Sequence, residues 1–77
     1  TTIGYGLPEA SRVSLRVYDL QGRVVATLED GVKGAGEWTV RWDASGCASG
    51  VYLLRLDAVS EAGSRSSVAT RKLLLMR

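Results

Sequence analysis

Residues 36–56 read GEWTVRWDASGCASGVYLLRL, and their pattern decides the fold class. Trp38, Val40 and Trp42 alternate with Glu37, Thr39, Arg41 and Asp43, which is the period-two signature of a half-buried strand. The next residues, DASGCASG, are small and polar and turn the chain. Tyr52, Leu54, Leu56 and Ala58 then alternate with Leu53, Arg55 and Asp57, giving a second strand. Both tryptophans fall on one face of the first strand. Tryptophan buries more apolar surface than any other side chain, so that face is expected to anchor the core.

The same reading extends in both directions. Ile3, Tyr5 and Leu7 alternate with glycines until Pro8 stops the run, a short first strand weakened by Gly4 and Gly6. Val13, Leu15 and Val17 alternate with Ser14, Arg16 and Tyr18, a strand with one wet face on which Tyr18 sits. In the turn Asp19-Leu20-Gln21-Gly22, the Asp side chain can bond back to the backbone and Gly22 can take positive φ. Residues 23–28 continue as a third strand, so 12–28 reads as a hairpin. Residues 29–36 form the longest glycine-rich connection and lead to the tryptophan strand at 37–43. The strand at 51–59 is followed by a polar turn at 60–66 and a last strand at about 67–76. Six or seven short strands with no helix predict an all-β antiparallel sandwich or small barrel.

The chain has 77 residues, the size of one small domain spanning residues 1–77. At 45% hydrophobic and 23% charged it has the composition of a folded chain rather than a disordered one. Its net charge is +2, and the basic residues are scattered, which argues against a nucleic-acid surface. The longest apolar run, Leu73–Met76, is far too short to span a bilayer, so no membrane insertion is expected. The chain begins with Thr and carries no signal-peptide pattern, so it is expected to be a piece of a longer protein. Cys47 is the single cysteine, so an internal disulfide is impossible; it reads as a small loop filler.

Catalytic chemistry is thin. With no His, the sequence lacks Ser-His-Asp and Cys-His nucleophilic sites and every His-ligated metal site. No nucleophile elbow, phosphate loop or dinucleotide fingerprint occurs. The carboxylates are scattered: Glu29 and Asp30 are adjacent but point to opposite faces of a strand. A calcium site joining Asp30 and Asp43 has no support in the spacing. The fragment is therefore expected to be non-catalytic, without metal or cofactor.

Two stretches could bind a partner. Trp38 and Trp42 could stack sugar rings, as in carbohydrate-binding modules, but a core this small and without Phe needs them inside. The ending TRKLLLMR (residues 70–77) breaks alternation with four apolar residues in a row. It reads either as a strand buried on both faces, which composition favours, or as an edge strand open to pairing.

The order of these motifs resembles the C-terminal sorting domain of the type IX secretion system. The blocks VSLRVYDLQGRVVATLEDG, AGEWTVRWDASG, SGVYLLRLDA and TRKLLLMR carry the resemblance across essentially the whole chain. The similar immunoglobulin-like domain of the flagellar hook-capping protein shares the first three. Tyr18, Asp19, Gly22 and Arg23 match the hairpin motif. Gly36, Trp42 and Asp43 match the Trp-Asp strand, and Ser49, Gly50, Val51 and Tyr52 match the following strand start. Lys72 and Arg77 match the basic ending, and residues 3–8 look like the first strand.

The resemblance implies an immunoglobulin-like antiparallel sandwich of about seven strands, held by Trp38, Trp42, Asp43, Gly50, Tyr52, Asp19 and Gly22. It also implies an address. The domain would carry an N-terminal passenger, such as a hydrolase, through the periplasm to the cell surface or medium. Its partners would be an outer-membrane translocon and a sortase-like peptidase. Lys72, Leu73, Leu75 and Arg77 are the candidate recognition residues. The alternatives are a carbohydrate-binding or adhesive module, or a structural module that packs against its neighbours.

Overall fold

A computed structural model describes residues 1–63 and 65–76. Its elements are β1 (Thr2–Leu7), β2 (Ser11–Tyr18), β3 (Val24–Lys33), β4 (Gly36–Arg41), β5 (Gly50–Ser60) and β6 (Ser66–Leu75). They form two antiparallel sheets of unequal width. One has the order β3-β2-β5-β6 and the other contains β1 and β4 alone.

Alternation in β2 places Ser11, Val13, Leu15 and Val17 on the inner face, and all four are buried. β5 runs antiparallel beside it, with Val17 opposite Leu54 and Val13 opposite Ala58. Opposed residues of a ladder share a face, so this register joins the apolar positions of both strands. The smaller sheet adds Ile3 and Leu7 from β1. Trp42, just beyond β4, is 4% exposed and packs among Ile3, Leu15, Val17, Tyr52 and Leu54. Its ring meets Tyr52 edge-on, with centroids 5.4 Å apart, the geometry that opposes ring edge to ring face. The Tyr52 hydroxyl donates to the Ala48 carbonyl at 2.6 Å. That back-bond to the chain a few residues upstream is typical of immunoglobulin-like sandwiches, and it fastens the loop 42–49 to the core.

The expected all-β sandwich is present, with six strands among the described residues. Two local expectations change. The glycine-rich stretch at 29–36 is largely strand: β3 runs to Lys33, and the β3–β4 connection shrinks to Gly34-Ala35. The cause lies in β2, where residues 11–14 offer ladder partners to residues 30–33. Pairing with a long neighbour overrides the local glycine signal. Register shifts at Leu15/Arg16 and Val17/Tyr18 leave Leu28 and Val25 as extra residues on β3. Such bulges interrupt alternation and explain the irregular burial of β3.

The tryptophans are also unequal. Trp42 enters the core, whereas Trp38 is half-buried beside Leu7, Val13 and Ala58. The Trp38 indole N–H donates to the Gly34 carbonyl at 2.9 Å. Lys33 Nζ sits 4.7 Å from the Trp38 ring centre and 3.3 Å from Glu29 Oε1. These contacts close the side of the sandwich where β3 and β4 meet.

Candidate functional site

The last strand, β6, is an edge. It pairs with β5 on one side, Tyr52 opposite Leu73 and Leu54 opposite Arg71, and with no strand on the other. Residues 66–72 are all exposed. The reading of this strand as buried on both faces is therefore corrected. Its apolar run had suggested burial, but the two-stranded sheet is too narrow to cover a fourth strand.

The run 73–76 splits by parity. Leu73 and Leu75 point inward, are half-buried and pack against the cluster around Trp42. Lys72 and Leu74 face outward, and Leu74 is 67% exposed. Beyond the strand, Met76 is 79% exposed. Of the three candidate recognition residues that are described, Lys72 is the exposed one. Leu73 and Leu75 are occupied in the fold, and Arg77 lies outside the described residues. Leu74 and Met76 are exposed but are not among the sequence candidates; for Leu74 strand parity gives the signal, because a solvated Lys72 puts residue 74 on the same outer face.

The other motif residues are turn and loop devices. Asp19 Oδ1 accepts the Gln21 and Arg23 backbone N–H groups at 2.9 and 3.0 Å, and Oδ2 accepts Arg23 Nε at 2.9 Å. These bonds, the Arg23 backbone N–H first, hold the Asp19 carboxyl below its ordinary pKa. Gly22 takes φ 85° and donates its N–H to the Asp19 carbonyl. A side chain there would meet no neighbour, so the backbone angle alone selects glycine. Asp43 accepts the Ser45 backbone N–H at 3.1 Å, which likewise lowers its pKa. Gly50 opens β5 at φ 149°, and Cys47 is half-buried against the core. The Tyr5 hydroxyl is buried, and its pKa is raised by that burial and then by Glu29.

No sugar platform forms from the tryptophan pair, because Trp42 is inside. Among the described residues no group of three His, Cys, Asp or Glu side chains could hold a metal ion. Among the described residues no helix is long and apolar enough to cross a membrane.

The family model described as the FlgD Ig-like domain matches residues 1–62. It spans β1 to β5 and stops short of β6. No curated protein and no solved structure matches the chain. The two-sheet antiparallel sandwich, the Tyr52 back-bond and the family match agree: the chain belongs to the FlgD Ig-like domain family, that of the immunoglobulin-like domain of the flagellar hook-capping protein.

Proposed function

We propose that this immunoglobulin-like module is a non-catalytic sorting domain, which directs an attached passenger through the type IX secretion system to the cell surface or medium. The observation carrying this reading is β6. Its sequence resembles the ending of sorting domains, it lies beyond the family match, and it stands as an exposed edge strand. An edge strand offers unpaired main-chain groups to a receptor, and outward side chains add selectivity. Lys72 and Leu74 fill that second role. The proposed partners are the outer-membrane translocon and the sortase-like peptidase, and the passenger is an N-terminal domain.

The test is export of an inert reporter fused ahead of residues 1–77, in a host with type IX secretion. Reporter at the surface or in the medium is expected with the intact domain, and reporter in the periplasm when residues 70–77 are removed. Truncation also strips Leu73 and Leu75 from the core, so the outward pair is tested separately with Lys72→Glu and Leu74→Lys. Export that survives both changes would overturn the role of β6. Periplasmic reporter even with the intact domain would overturn the secretion reading itself.

A second reading, a structural module packing on neighbouring subunits, is favoured by the family match and by Val59, Val68 and Leu74 exposed on the outer face of the larger sheet. Stable self-association of the chain would support it.

A further inference from the structure

The two long sides of the sandwich differ. Where β3 meets β4, the chain itself crosses between the sheets, and Glu29, Lys33 and Trp38 cover the gap. Where β1 faces β6, no strand-to-strand connection crosses among the described residues. Three cavities follow one another along β1 and make up a seam. It is about 680 Å³ near Thr1, Leu75 and Met76, about 280 Å³ between residues 3–6 and Ala69–Arg71, and about 50 Å³ near Pro8, Glu9 and Ser67. The narrow end lies beside the Arg65–Glu9 ion pair at 3.7 Å. The floor of the middle section includes Leu15 and Leu54.

Both walls lack a partner. β1 pairs with β4 on one edge and with no strand on the other. Its sequence, TIGYGL, carries no charge and no proline within the strand, which are the usual guards of a free edge. Gly4 adds no side chain to this wall, whereas the Glu37 carboxylate lies over Gly6. On the opposite wall, Ser67, Ala69 and Arg71 lie opposite Ala58, Leu56 and Leu54, so they share the inner face, yet all three are exposed. Arg71 is a cation on an inner sheet face, and among the described residues no carboxylate pairs with it.

We infer that this seam accepts an extended segment of a partner protein, which hydrogen-bonds along the free edge of β1 and presents a carboxylate to Arg71. The added strand makes the smaller sheet three strands wide and covers the inner face of β6. About six residues match the length of β1, near 20 Å at the strand rise. The residues alternating with the carboxylate need small apolar side chains, because the seam narrows toward Glu9. Main-chain pairing supplies affinity and the Arg71 contact supplies selectivity. The inference does not rest on the secretion reading: it concerns β1 and the inner face of β6, whereas that reading concerns the outer edge and face of β6.

The probe is the blocked peptide TVTETVT, titrated into the nitrogen-labelled chain and followed by two-dimensional NMR. The amides of Gly4, Tyr5 and Gly6 are expected to shift and to gain exchange protection. TVTKTVT should bind about tenfold more weakly, a difference of about 1.4 kcal/mol, and Arg71→Glu should reverse the order. Ala69 is exposed, so Ala69→Trp should leave the fold intact and block the seam. Shifts confined to β3 or to the outer face of β6 would overturn the inference. So would equal binding of both peptides, or β1 shifts that appear on concentrating the chain alone, since those assign the seam to a second copy.

Discussion

Asp19 shows how much one carboxylate can do in a turn. One oxygen takes two backbone N–H groups and the other takes a guanidinium. Those bonds hold the folded-state pKa below that of an ordinary Asp carboxyl. A depressed carboxyl adds stability that is fully present above its unfolded pKa and is lost as pH falls through the folded pKa. Asp19→Asn keeps a side-chain oxygen for the backbone donors but loses the charge. The variant should unfold at lower denaturant than the parent at about pH 7, with the gap closing as pH falls below the folded pKa. Denaturant midpoints across that range test this, and a gap constant with pH would sink it. The role of Asp19 is legible in the sequence because its partners lie within four residues. Depth of burial is different. Parity placed Trp38 and Trp42 on one face, but which of them entered the core depended on what the opposite sheet covered. No spacing within β4 encodes that.

At the scale of elements, strand existence was legible and strand limits were not. β2 and β5 are clear because each sets its apolar positions at alternate residues against a buried face. β3 reads as ending at Leu28 because Gly31 and Gly34 look like punctuation, whereas its length is set by β2. β6 reads two ways in the sequence: four apolar residues in a row fit two buried faces or an open edge, and the edge reading holds because the narrow second sheet covers only one face. The corrected placement makes adjacent leucines unequal. Leu73 packs on the Trp42 cluster, so Leu73→Ala should cost about 1–2 kcal/mol, below the range for fully buried leucines. Leu74 faces solvent, so Leu74→Ala should stay within about 0.5 kcal/mol of the parent. Urea unfolding of the two variants decides the matter, and equal losses would mean that the inward and outward sides of β6 are misassigned.

For the whole molecule, the unequal sheets set a hierarchy of stability. β2 and β5 have a neighbour on each side and carry most of the buried apolar residues. β1 and β4 form a two-stranded sheet, which has little stability of its own in water. It is held by Ile3, Leu7 and Trp42 and by the short turn at Gly34-Ala35. The sequence could show that strands exist, but their assignment to a sheet of four and a sheet of two is a matter of partners far apart along the chain. That assignment predicts sub-global opening, in which β1 and β4 separate while β2 and β5 stay paired. Native-state hydrogen exchange should therefore find the slowest amides in β2 and β5, at the global unfolding free energy. The β1–β4 ladder should exchange through a cheaper opening, with a weaker denaturant dependence because less surface is exposed. If the β1 amides exchanged with the same free energy and the same denaturant dependence as β2, both sheets would be opening as one unit. The narrow sheet would then be bound as firmly as the wide one, and its open side would be no weaker than its closed side.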